Sequence, residues 1–316
     1  VLAVLVAVIM MVWWLLSAIW HSPQSFGRWR AGRRRDRGYQ ALSKGLIAAG
    51  SGDASVARKL SGEADKFLKH EPLVALLDAQ TAMLEGNREV AHEKFLAMKD
   101  TPETKLLGLR GLYVEAEQRG ESAAAAQFAR DALEDKPGTP WAAKAVLKYL
   151  SMSGQWDKAV ATLEANRTTG LFEKEEYNRK RAVLLTALAQ QEAKAEPDKA
   201  KTHALAAHKL DPSLVPAATT AALACARLGD LRKAAKVLET AWKKQPHPEL
   251  AETYVHLRPG DSVLDRLKRA EALNQKRYNH EEGQYAIANA AIDAGEWSMA
   301  RSALTAVLRD NPTDRA

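Results

Sequence analysis

The sequence predicts an all-α protein, a stack of helix-turn-helix repeats preceded by an N-terminal transmembrane helix. Three observations carry that expectation. Glycine followed five residues later by alanine recurs every 34 residues, at Gly52/Ala57, Gly86/Ala91, Gly120/Ala125 and Gly154/Ala159, and returns at Gly229/Ala234 and Gly295/Ala300. Alanine is abundant, and β-branched runs are confined to the first twelve residues. Residues 1–20 are apolar apart from Ser17.

The recurring pair has a simple physical basis. Glycine ends the first helix of each pair because it accepts the left-handed conformation at the C-terminal cap. Alanine on the second helix lets it lie close against the first, where a larger side chain would overpack. A proline such as Pro137, Pro212 or Pro246 then closes the unit, since it cannot continue a helix. An array of this kind counts as one extended domain, because each unit packs only on its neighbours.

In chain order, residues 1–20 are long enough to cross a bilayer, since twenty helical residues rise about 30 Å. Trp20 and Trp29 are placed for an interfacial belt. The competing reading, a cleaved signal peptide, lacks a basic leader and a small-residue cleavage site. Residues 21–38 form a basic juxtamembrane arm holding Arg28, Arg30, Arg33, Arg34, Arg35 and Arg37 against Asp36. Of the net charge of +7, residues 28–37 supply +5, so the rest of the chain is close to neutral. Beside a span such charge is topogenic, placing the repeats in the cytoplasm and the arm against anionic lipid headgroups. Nucleic acid is not expected as a partner. The absence of an initiator methionine reads as a start inside a longer protein, and residues 311–316 as a cut C-terminus.

Repeats are expected at about 39–71, 72–100, 101–136, 137–170, 171–214, 215–248, a degenerate 249–280, and 281–316, within a repeat domain of 39–316. The fifth departs from the period: Ala195 replaces the glycine, seven residues late, which predicts a lengthened helix over 174–193 and a second helix from Pro197. In the seventh, residues 256–261 interrupt the pattern, and Ser262-x-x-Asp265 resembles a capping box starting a new helix. Trp156 and Trp297, just past their turns, are expected to pack between helices.

The Gly, Ala, Ala and Pro offsets, clearest at Gly120, Ala125, Ala132 and Pro137 and again at Gly229, Ala234, Ala241 and Pro246, resemble the tetratricopeptide repeat (TPR) family. That resemblance implies a TPR-like right-handed α-solenoid. The order of parts narrows it. An apolar span, an arginine cluster, a glycine-rich first pair at 38–53 and a Gly-Glu-Trp-x-x-Ala turn at 295–300 are similar to the HemY-type inner-membrane TPR proteins of Gram-negative bacteria. The resemblance implies a protein-binding scaffold at the inner membrane, associated with haem (porphyrin) biosynthesis, whose partners are haem-pathway enzymes or membrane proteins. A general cell-envelope assembly adaptor, or a porphyrin- or haem-binding protein, remains the alternative.

No catalytic, metal or cofactor residues are expected. Cys225 alone excludes a disulfide framework and a cysteine zinc site, and it reads as a small buried hydrophobe. The eight histidines lack zinc-site spacing, although His247 or His256 would be the choice for an axial haem ligand. The groove of first helices is the candidate site. Projecting the repeat phase puts Arg110, Trp141, Lys144 and Lys148 on its inner face, with Tyr285 and Asn289 at the far end. Such a basic patch suits an acidic or carboxylate-bearing partner. The competing reading makes the two lysines a solvated face and Trp141 packing between repeats.

Overall fold

A computed structural model describes residues 10–14, 32–69, 71–278 and 280–310. Among these the regular structure is entirely α-helical. Most of the expected span at 1–20, together with Arg28 and Arg30, lies outside the described residues, of which 10–14 are helical. No helix among the described residues is long and apolar enough to cross a membrane.

The chain divides into two compact units, one ending at Ala142 and the other starting at Ala143. The first holds α1 (32–50), α2 (Ala54–Phe67), α3 (Pro72–Leu84), α4 (Arg88–Lys99), α5 (Lys105–Arg119) and α6 (Ser122–Asp135), and α7 (Pro140–Met152) begins in it. The arm's last residues, 32–38, are therefore the opening turns of α1, where Arg33, Arg34, Arg35 and Arg37 are exposed. The second unit takes the rest of α7, then α8 (Trp156–Ala165), α9 (Lys174–Glu192), α10 (Pro197–Leu210), α11 (Val215–Arg227) and α12 (Leu231–Lys244). It ends with α13 (Pro248–Val255), α14 (Val263–Gln275), α15 (Glu281–Asp293) and α16 (Trp297–Asp310).

One closure is repeated at the glycine turns of the recurring Gly/Ala pairs. Gly52 takes φ +81° and Gly229 φ +78°, the left-handed region that an L side chain resists. The next residue reaches back: Asp53 N donates to Ala48 O at 2.9 Å and Asp230 N to Cys225 O at 2.9 Å. This is the double closure that satisfies the orphan carbonyls of a helix end. Asp53 and Asp230 then cap the following helix, accepting from the amides of Val56 and Lys233. A single short phrase thus ends one helix and starts the next.

The partner alanines are where close packing needs them. Ala57, Ala91, Ala125, Ala159 and Ala234 are fully buried, and Ala300 nearly so. In the first unit, Ala79, Ala91, Phe95, Met98 and Leu112 make one core under α3, α4 and α5. In the second, Cys225, Ala234, Leu238, Trp242 and Leu250 belong to one core. The 19-residue α9 is the long helix that the late Ala195 implies. The interrupted unit has an eight-residue α13, and Ser262 and Asp265 form a full capping box at α14. Trp297 corrects an expectation: at 67% exposure it does not pack between helices, whereas Trp156 is half-buried.

Candidate functional site

In the second unit the first helices of successive pairs touch one another, α9 on α11, α11 on α13 and α13 on α15. The clefts between them are the candidate site. One cleft, about 620 Å³, lies between α7 and α9. Its floor is apolar, with Leu147, Leu163, Phe172 and Leu184. Its rim carries Lys144, Lys148, Arg179 and Lys180 against the single carboxylate of Glu176.

Local structure explains how these cations are held. Lys144 and Lys148 are four apart on α7 and so share one face. Phe172 lies before the start of α9, and two ammonium groups approach its ring: Lys180 Nζ at 5.0 Å from the centroid and Lys144 Nζ at 5.6 Å. Each is within cation–π range. Lys180 also pairs with Glu176 at 3.4 Å, one turn back on α9, and Arg179 pairs with Asp211. Burial pushes the Asp211 carboxyl up, but hydrogen bonds from Ser213 and Arg179 outweigh it, and the group stays ionised below its usual range. Lys148 Nζ lies 5.2 Å from the Tyr149 ring.

Two further clefts follow along the same row. A cavity of about 290 Å³ between α9, α11 and α13 is lined by Gln190, Thr220 and Leu223, with Arg227 and Glu249 as its charges. Gln190 Nε2 donates to Thr220 Oγ1 at 3.0 Å, and Thr219 Oγ1 donates to Glu249 at 3.2 Å. Between α13 and α15, a cavity of about 270 Å³ is lined by Glu252, Glu282 and Asp293, with Arg266 and His256. His256 and His247 serve their own helix ends: His247 Nδ1 accepts from Glu249 N at 3.2 Å, and His256 Nδ1 lies 3.0 Å from Glu252 O.

The expected site residues fall into three groups. Lys144 and Lys148 line the basic cleft, and Tyr285 and Asn289 line the acidic one. Arg110 and Trp141 belong to the first unit, where Arg110 is exposed on α5. Trp141 is half-buried there, its ring 5.3 Å from that of Tyr113, beside Leu106, Phe128 and Leu133. This is the packing role given above as the competing reading. Phe172, Arg179 and Lys180 are members of the basic cleft that the repeat phase does not reach. Cys225 is fully buried, and burial pushes its thiol up. Among the described residues, no three histidine, cysteine or acidic side chains are grouped so as to hold a metal ion.

Comparison with known proteins places these features. Residues 1–86 match the family described as the HemY protein N-terminus. Over 296 residues the chain is 26% identical to a probable magnetosome protein, Mms48, of Magnetospirillum gryphiswaldense, an alignment covering 92% of this chain. The chain spans 64% of that relative's length. Among solved structures, it is similar to TTC0263, a thermophilic TPR protein of Thermus thermophilus. That match has 18% identity, covers 59% of this chain and 99% of the other, and has a TM-score of 0.30. The apo form of the quorum sensor NprR from B. thuringiensis is similar at 14% identity, covering 93% of this chain and 96% of its own, with a TM-score of 0.35. With the family match at its N-terminal end and glycine-closed, alanine-packed helix pairs along the rest, the chain resembles the HemY-type tetratricopeptide repeat proteins.

Proposed function

We propose that this chain is a scaffold held at a bacterial inner membrane, with its repeats on the cytoplasmic side, that docks partner proteins on the clefts of its first helices and performs no reaction itself. In this reading the pairs wind into a right-handed solenoid, residues 1–20 cross the bilayer, and the arginines of 28–37 lie against anionic headgroups. The relative named for the magnetosome supports a membrane-associated setting. The HemY-type character supports an association with haem or porphyrin biosynthesis, whose enzymes would be the partners. Gathering them on one surface raises their effective concentration without altering their chemistry.

The observation that carries the docking role is the 620 Å³ cleft with four cations above an apolar floor. A surface of that composition suits an acidic, partly apolar protein segment. Photo-crosslinkers placed at positions 144 and 285 in intact membranes test it, with position 110 as a probe of the first unit. Recovery of haem-pathway enzymes from 144 and 285 is the expected result. Recovery of envelope-assembly proteins alone would favour the general adaptor. The same four cations would also suit the carboxylates of a porphyrin, but among the described residues no histidine lines that cleft. A haem titration that shifts the Soret band would bring this second reading forward.

A further inference from the structure

The three clefts of the second unit differ in charge in a regular order. Between α7 and α9 the rim carries four cations and one carboxylate. Between α9 and α13 the cavity is lined by one arginine, Arg227, and one carboxylate, Glu249. Between α13 and α15 three carboxylates, Glu252, Glu282 and Asp293, outnumber Arg266. The sign of the surface therefore runs from positive through neutral to negative. Among the described residues, Lys144 at one end and Glu252 and Asp293 at the other make no ion pair with another side chain, so they are available to an outside charge. In the neutral middle cavity Leu223 offers an apolar side chain, 58% exposed on α11.

We infer that this row receives one segment of a partner protein whose own charge is split, acidic at the end seated between α7 and α9 and basic at the end seated between α13 and α15, with an apolar residue on Leu223. The inference rests on the docking role proposed above and specifies its partner. Neighbouring helices sit about 8–10 Å apart, so three steps from the first cleft to the last span about 24–30 Å. An extended chain at about 3.3 Å per residue covers that with roughly eight to ten residues. Charge complementarity of this kind sets register and direction: a segment docked backwards places like charges together at both ends. A uniformly acidic or uniformly basic segment gains at one end and loses at the other.

The test uses the full chain in detergent or nanodiscs, and fluorescent peptides of about twelve residues containing equal numbers of Glu, Leu and Lys. Two carry the charges in blocks, Glu first or Lys first, around a leucine centre; the third alternates them. Read by anisotropy at low salt, one block peptide is expected to bind about ten-fold more tightly than the alternating one. Its advantage should fall to about two-fold or less at high salt. The Lys144→Glu/Lys180→Glu pair should abolish that advantage, and Glu252→Lys/Asp293→Lys should do so independently from the other end. Equal binding of block and alternating peptides would overturn the split-charge partner while leaving the docking role standing. Failure of every peptide to bind, an advantage that survives either double variant, or self-association of the chain filling the row would overturn it as well.

Discussion

The Lys180 ammonium sits over the Phe172 ring, 5.0 Å from Nζ to the centroid, and so ties α9 to the loop that precedes it. The contact also keeps a cation poised at the rim of the basic cleft. A double-mutant cycle with Phe172→Leu and Lys180→Met separates the cation–π part from simple apolar packing. The coupling expected from urea denaturation is about 0.5–1 kcal/mol, the range for partly exposed pairs. Additive single effects would mean that the ammonium is merely nearby.

Close approach of α4 and α5 makes a sharper prediction. A methyl group at Gly108 would meet backbone atoms, Lys99 N at 2.5 Å and Phe95 O at 2.7 Å. Backbone cannot swing aside as a flexible side chain can. Gly108→Ala should therefore destabilise the first unit by about 1–3 kcal/mol, despite its better helix propensity. Gly62, inside α2, meets nothing within 4 Å at the same point. Gly62→Ala should instead stabilise by up to about 1 kcal/mol. Thermal or urea unfolding of the two variants, compared side by side, checks the opposite signs.

These helix contacts follow from features that a sequence displays. The glycine turns are legible because a positive φ leaves a residue-level mark, and the seven-residue delay at Ala195 converts directly into the long α9. The basic cleft is legible only in part. Lys144 and Lys148 lie on α7, before that delay, and the repeat phase finds them. Arg179 and Lys180 lie on α9, after the phase has slipped, and Phe172 sits in the connection between α8 and α9, which is longer than those between the earlier pairs. Tyr285 and Asn289 are found by phase, but the carboxylate of Glu252 comes from the shortened α13, which a 34-residue period does not align. Trp297 is misread for a different reason. An aromatic just past a turn packs only if its side of the helix meets a neighbour, and on α16 that side faces solvent.

The interrupted unit depends on its cap. Ser262 Oγ accepts from Asp265 N at 3.2 Å, while Ser262 N donates to the Asp265 carboxylate at 3.3 Å. The Ser262 hydroxyl, then its amide, hold that carboxyl below the usual range. Ser262→Ala should cost about 0.5–2 kcal/mol. The losses from Ser262→Ala and Asp265→Ala should be less than additive, because either change dissolves the same reciprocal pair. Hydrogen exchange at the first amides of α14 is the direct measurement, and unchanged protection in Ser262→Ala would sink the claim.

His208 supplies the pH dependence. It is 9% exposed on α10, and among the described residues its Nδ1 has no hydrogen-bond partner. Burial penalises the imidazolium more than the nearby Asp211 carboxylate favours it, so the pKa lies below the ordinary 6.5. Below that ordinary value the unfolded chain takes up a proton that the folded chain resists, and stability falls as pH drops. Above it, both states are neutral and the contribution is complete. The slope from this one group is at most about 1.4 kcal/mol per pH unit. His208→Leu removes the group, so the difference in unfolding free energy between parent and variant should shift in the variant's favour from about pH 7.5 to about pH 5.5. The contacts of His92 with Glu115 and of His203 with Glu192 are common to both proteins and cancel in that difference. A difference that stays constant across the range would mean that the buried ring accepts its proton as readily in the folded state as in the unfolded one.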